Sequence, residues 1–247
     1  MLIREYKDFS EAYFDLNREI LLHPELIDYQ ENTRGIMENL FITLNSIDCD
    51  RVDLAPLGYA KQKWSSLVRT YLDMDQLRNF YHMCTISKGS SIAFDFKRKS
   101  QGNGSCMREI ILTRCNHKKP WDTAKVIWRA TELQKRWAAD LILIHHILKR
   151  IPNCQIKKVE FYMASAYQSG VYVVPLIGPL FGVDITKLDP EKSRYWKTIQ
   201  YQNAKRFQPD SPRHKLSPGW RMQDVAKALR EGKEFEPLTY REFELEV

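Results

Sequence analysis

The sequence predicts a single α+β domain spanning residues 1–247. Three observations carry that expectation. Short apolar runs of strand length recur between turn-forming residues. Three longer stretches space their apolar residues three or four apart, the period of a helix. No internal repeat and no long linker divides the chain.

The elements follow in order. Ala12, Tyr13, Leu16, Ile20 and Leu21 predict a helix over 10–22, capped by Ser10 and stopped at His23-Pro24. Asn32-Thr33-Arg34-Gly35 closes a polar stretch and reads as a turn. Leu40 to Leu44 is a strand, which puts Arg34 on the loop before it. Trp64, Leu67, Val68, Tyr71 and Leu72 repeat at helical spacing and make 59–80 mostly helix, with these residues in the core. Ile92 to Phe96 is a strand, and Lys97 to Gly104 a polar loop. The runs 110–112 and 124–128 predict an antiparallel pair joined by the basic turn Cys115 to Trp121. Leu133, Trp137, Leu141, Ile144, Ile147 and Leu148 predict a long helix to Arg150, ended by Pro152. Val159 to Val174 holds one or two strands bearing Tyr162, Ser165, Tyr167 and Tyr172. A rigid Pro- and Gly-rich turn spans 175–182, a short helix spans 222–229, and an acidic tail spans 234–247.

Composition narrows the class. Hydrophobic residues make up 43% of 247, enough for one sizeable core. No run approaches the ~18 apolar residues of a membrane span, and residues 1–10 carry four charges where a signal core would be apolar. A cytoplasmic protein is expected, in the host's cytoplasm if the chain is viral, with no membrane partner. Five cysteines in no CxxC pair argue against a disulfide framework and against a zinc cluster, so no metal is expected. The net charge of +7 is spread over pairs and triplets such as Lys97-Arg98-Lys99 and Lys118-Lys119. That pattern suits a small anionic substrate, and nucleic acid is not the expected partner. The absence of GxGxxG, Walker and His-Glu-x-x-His motifs leaves nucleotide-cofactor, ATPase and metalloprotease readings unsupported.

The chemistry concentrates between Cys106 and Asp140. Thiolate attack on an electron-poor carbon needs an accessible cysteine near positive charge, and Cys106 precedes Arg108 by two residues. Arg129 adds a second guanidinium at the end of another strand, a group suited to phosphate. Asp140 lies beside the buried face of its helix, where a carboxylate is costly unless something answers it. Each residue also has a plain structural alternative: a buried cysteine at 106, an Arg129–Glu132 pair, an Asp140–Arg136 pair, a core Tyr167.

Taken jointly, the spacing resembles the thymidylate synthase superfamily, nearest to its cytidylate hydroxymethylases. The family signature is an arginine, a small residue, any residue and an acid, then Asn or Asp eleven positions after the arginine. Here it reads Arg129-Ala130-Thr131-Glu132 and Asp140. The family's catalytic cysteine lies on a preceding strand, and Cys106 stands 23 residues before Arg129. Asn32 to Gly35 looks like the segment that supplies a phosphate-binding arginine, and Tyr162 to Tyr167 like the strand whose tyrosine holds the sugar hydroxyl. The similarity covers roughly residues 30–175, with 176–247 diverged.

The resemblance implies a large mixed sheet flanked by helices, in a homodimer whose sheets pack back to back. It implies a pyrimidine nucleoside monophosphate as substrate, with Arg34, Arg129 and the remnant cradle residue Lys88 near the phosphate, Tyr167 on the sugar and Asp140 on the base. Cys106 would add to C6 and make C5 nucleophilic toward a one-carbon unit from 5,10-methylenetetrahydrofolate, giving a hydroxymethyl or methyl product. Aspartate at position 140 points to cytosine, CMP or dCMP. The chain departs from the family at Ser105, where proline is usual, at Lys88-Gly89, where paired arginines are usual, at Ser165-Ala166-Tyr167, and in lacking a counterpart to the proton-relaying glutamate. The alternatives are a uridylate-type enzyme or altered C5 chemistry on the same fold, an inactive nucleotide-binding homologue, and a basic nucleic-acid-binding module.

Overall fold

A computed structural model describes residues 1–23, 25–29, 32–47, 68–96, 106–133, 136–168, 182–184 and 187–193, with the backbone alone of 25–29 and 32–35. Seven strands form one mixed sheet: β1 Leu2–Tyr6, β2 Glu25–Tyr29, β3 Asn32–Leu44, β4 Ser91–Asp95, β5 Met107–Thr113, β6 Trp121–Glu132 and β7 Cys154–Gln168. Their order is β1-β3-β7-β6-β5-β4, with β2 also on β3. The expected mixed sheet with packed helices is therefore present. The expectations for 97–104, 222–229 and 234–247 lie outside the described residues.

Two parallel pairings need crossovers, and helices supply them. Helix α1 (Phe9–Leu22) links β1 to the β2–β3 segment, and β1 runs parallel to β3. Between the parallel strands β6 and β7 comes α3 (Arg136–Lys149). Helix α2 (Met74–Ile86) precedes β4 and packs on it. The antiparallel β5–β6 pair joined by a turn is as the sequence predicts.

Three local expectations change. Asp8, not Ser10, caps α1: its backbone is extended and its Oδ1 accepts the Glu11 N–H at 2.8 Å. Ser10 is buried inside the first turn. The helix expected over 59–80 is interrupted in its described part, because Asp73 starts a new helix by accepting from the N–H groups of Asp75 and Gln76. Asn32 to Gly35 is strand and not turn, so Arg34 lies within β3. Its backbone pairs with Ile27 of β2, while Gly35 also meets Gln168 of β7. Ladder partners on both edges outweigh local turn propensity.

One face of the sheet is the core. Phe94, Ile110, Val126, Phe161 and Ile42 line up on five adjacent strands, all buried. Phe161 packs against Phe9 of α1 at 5.4 Å and edge-on to Trp128 at 4.9 Å between ring centroids. Helix α3 is buried on nearly all sides from Trp137 to Leu148. Asn17 of α1 is tied to the ends of β6 and β7: its Nδ2 donates to the Leu133 carbonyl, and its Oδ1 accepts from Gln168 Nε2 at 3.0 Å.

The alternation changes phase along one line across the sheet. Buried positions run Leu40, Ile42, Leu44 on β3, Val126, Trp128 on β6 and Val159, Phe161, Met163 on β7. Beyond Trp128 and Met163 the next buried positions are Thr131 and Ala166, each three residues on. At the same level Asn39 takes a positive φ of 54°, and the β5–β6 register shifts between Met107 and Glu109. Such irregularities bend a sheet and re-aim side chains.

No described helix covers the second face. Ile3, Phe41, Tyr162 and Ile127 form a row across it, with Phe41 and Tyr162 rings at 4.7 Å. Beside that row Glu160 pairs with Lys125 and Lys158.

The packing of Phe161 supplies a test of the core. Phe161→Ala is expected to lower stability by ~3–5 kcal/mol, read from urea denaturation. A loss below ~1 kcal/mol would contradict the described contacts with Phe9 and Trp128.

Candidate active site

Asp140 sits on the second turn of α3, a helix that the core surrounds. Only 1% of its surface is exposed. The indole of Trp128, from β6, donates to its Oδ2 at 3.4 Å. Tyr71 and Arg136 lie near the same carboxyl. Oδ1 has no hydrogen-bond partner among the described residues. Burial pushes the carboxyl up to about 7, against the lowering effects of Arg136, Trp128 and Tyr71 and with a further rise from Glu132. Burial, with Asp140 and Cys106 nearby, holds the Tyr71 hydroxyl protonated far above its ordinary range.

Cys106 stands immediately before β5 and is half-buried. Its carbonyl accepts the Arg129 N–H at 2.8 Å, which carries the β5–β6 ladder past the register shift. Arg129 follows Trp128, so the backbone that holds Cys106 adjoins the indole that holds Asp140. On the other side, the Phe96 N–H donates to the Arg108 carbonyl, two residues from Cys106, and Tyr71 packs edge-on to Phe96 at 6.3 Å.

The expected residues fall into two groups. Cys106, Arg129, Asp140 and Tyr167 share one end of the sheet. Tyr167 pairs with Glu132 and with Ile36, two residues from Arg34, so the Arg34 backbone reaches the same end. The Arg34 side chain is outside the described residues. Arg129 is exposed, Tyr167 is half-buried, and buried Glu132 accepts the Arg136 N–H at the start of α3. Lys88 stands apart. It follows α2 beside Ser91, which pairs with Thr113 at the far end of β5 from Cys106. The seven residues of β5 place it roughly 20 Å away.

Tyr71, Trp128 and Arg136 enter the site as further members. Their spacing reads as core aromatics and a surface charge. The available signal was Asp140 itself: a carboxyl on an apolar helix needs donors, and Arg136 is one turn before it. Among the described residues no group of three or more His, Cys, Asp or Glu side chains is arranged to hold a metal ion, and no helix is long and apolar enough to cross a membrane.

No protein-family model and no curated protein matches this chain.

The Asp140 environment makes stability pH-dependent with a definite sign. The folded carboxyl keeps its proton up to about 7, whereas the unfolded one ionises from its ordinary value of 3.8. The folded state therefore binds more protons between these limits, and this group's contribution falls as pH rises through the window. Asp140→Asn has no such loss. Relative to wild type it is expected to gain on the order of 3 kcal/mol between pH 5 and pH 8, measured by urea denaturation at both. Parallel pH profiles for the two proteins would refute the assignment.

Proposed function

We propose that the chain is a pyrimidine nucleotide C5 one-carbon transferase of thymidylate synthase type, acting first on a cytidylate. The observation that supports this reading is that Cys106, bonded to the Arg129 backbone, and Asp140, bonded by the neighbouring Trp128, lie at the sheet end that also bears Tyr167 and the Arg34 backbone. A thiol, a base-reading carboxyl and cations for a phosphate are the parts such a reaction needs.

In this reading the Cys106 thiolate adds to C6 of the ring, and the C5–C6 π electrons move toward C5. C5 then takes an electrophile, loses its own proton, and the thiolate leaves. Asp140 reads the base. A neutral carboxyl donates its O–H to cytosine N3 and accepts from the N4 amine, and burial keeps that neutral form available near pH 7. The same carboxyl turned over fits the N3–H and O4 of uracil, which keeps a uridylate enzyme as the second reading. Arg129 and Arg34 would meet the phosphate. Lys88, at the opposite end of β5, has no part in it.

The one-carbon donor rests on resemblance alone. Methylenetetrahydrofolate would supply the carbon when bound. Of the described donors of the site, Trp128 Nε1 is turned to Asp140, and none is matched to a pterin or a glutamate chain.

Cysteine addition has a signature that needs no donor: C5 takes up a solvent proton and can lose its original one. CMP, dCMP, UMP and dUMP tritiated at C5 should therefore be incubated with and without methylenetetrahydrofolate, beside Cys106→Ala. Release from the cytosine nucleotides, abolished in Cys106→Ala, is expected. Release from uracil nucleotides alone would overturn the base assignment, and silence with all four would overturn the reaction.

The sheet face that no described helix covers supports a homodimer packed back to back. Ile3 and Phe41 are 66% and 43% exposed there. The flanking Glu160, Lys125 and Lys158 place both charge signs on one face, as a self-complementary interface requires. Sedimentation analysis should give a dimer for the wild type and a monomer for Phe41→Asp with its circular dichroism unchanged. A monomeric wild type, or a dimer indifferent to Phe41→Asp, would refute this face as the interface.

A further inference from the structure

We propose that the end of the sheet opposite Cys106 is a docking surface for the phosphate backbone of a nucleic-acid duplex, formed by Lys88, Lys118, Lys119, Lys149 and Arg150. Along the chain these cations stand in separate short groups, a spread that by itself speaks against such a partner. The fold gathers them. The surface is independent of the nucleotide reading, since β5 sets it roughly 20 Å from Cys106.

One guanidinium ties two of the basic loops together. Arg114 Nη2 donates to the Ser87 carbonyl at 2.6 Å, Nε to the Gly89 carbonyl at 3.0 Å and Nη1 to the Lys119 carbonyl at 3.5 Å. Lys88 thus lies between two residues bonded to the side chain that also reaches Lys119. The Asn116 side chain accepts the Lys118 N–H, and the Asn116 carbonyl accepts the Lys119 N–H, both at 3.0 Å, which shapes the turn. Arg114 also lies over the Trp121 ring, 3.9 Å from its centroid, and that indole donates to the Cys84 carbonyl of α2 at 3.0 Å. The third basic segment joins through α2 and β7. The Tyr81 hydroxyl donates to the Ile147 carbonyl at 3.2 Å, just before Lys149, and Trp121 pairs with Cys154, just after Arg150.

The charge of this end is unopposed. All five side chains are exposed. Lys125, Lys158, Lys187 and Lys192 have acid partners, whereas among the described residues none of these five does. The three segments that meet here, 76–90, 110–121 and 141–159, contain no Asp or Glu. Asp122, the acid that follows them on β6, is half-buried and accepts from the Thr123 hydroxyl at 3.0 Å. Helix dipoles favour cations after a helix C-terminus, which suits Lys88, Lys149 and Arg150. They give no reason for Lys118 and Lys119 on a turn between strands.

Width and composition select the partner. The cations cross β5, β6 and β7, about 10 Å between the outer strand axes, a span of about three phosphates along one strand of a duplex. A single small anion cannot meet them all. Tyr81 is half-buried with its hydroxyl bonded, and Trp121 is buried, so neither offers a face for base stacking. Phosphate contacts without stacking fit a duplex better than a single strand. Met83 and Ile86 are exposed on α2 beside the cations, but two side chains do not make the continuous apolar face that inserts into a membrane.

The test is fluorescence anisotropy of a labelled DNA duplex two helical turns long, titrated with the full chain at several salt concentrations. Wild type should bind with an affinity that falls steeply as salt rises. Lys118→Ala combined with Lys149→Ala should weaken binding on the order of 10-fold and reduce the slope of log affinity against log salt by about 2. Arg4→Ala combined with Lys7→Ala removes the same charge at the opposite edge of the sheet and should stay within about 2-fold of wild type. The substituted side chains of the basic end have no described partners, so circular dichroism and the urea midpoint should be unchanged. Absence of duplex binding at low salt, equal losses in the two double variants, or tighter binding to the single strand than to the duplex overturns the proposal. Binding to vesicles of anionic lipid but not to the duplex overturns it in favour of a membrane surface.

Discussion

A carboxyl lies on the second turn of a helix that the core surrounds, and the protein has to answer it from within. α3 is buried because it is the crossover between two parallel strands at the centre of the sheet. A charge there costs several kcal/mol unless it is neutralised or bonded. The response is graded. Trp128 donates, Arg136 contributes charge from the surface, and burial shifts the acid toward its neutral form. One oxygen is left over among the described residues. A core selected for stability alone would place leucine at this position.

The bend of the sheet brings the other groups to that acid. Along the line through Asn39, the β5 register shift, and the phase changes after Trp128 and Met163, the alternation of side chains is reset. Short of that line the strands bury their branched and aromatic residues under the helices. Beyond it the same strands carry Thr131, Glu132, Tyr167 and Gln168. The amide pair of Asn17 and Gln168 ties this polar end to α1. Cys106 enters at the line itself, held through its carbonyl by Arg129. The second face has the opposite character: an apolar row bordered by ion pairs, without a described helix over it.

Much of the architecture was legible in the chain. Strand-length apolar runs mark β4, β5, β6 and β7, and helical spacing marks α1 and α3. The hairpin β2–β3 was not legible, since Asn32 to Gly35 has turn composition, and its strand conformation depends on partners far away in sequence. The break before α2 depends on a single capping aspartate within a continuous apolar period. At the site, the arginine-to-aspartate spacing drew attention to Arg129 and Asp140, and Cys106 followed from its place ahead of them. Trp128 could not be singled out, because an aromatic that donates a hydrogen bond is spelled like one that only packs.

The sequence by itself determined which segments are helix or strand, which of their faces are apolar, and that an acid stands on an apolar face, for all of these depend on spacing along one segment. Tertiary structure decided that the Trp128 indole meets that acid, that Lys88 lies at the far end of β5, and that the backbone of Cys106 is bonded beside that same tryptophan, at Arg129. Those outcomes depend on strand order and on the phase change across the sheet, which are set by contacts between segments whose distance along the chain carries no record of their distance in space.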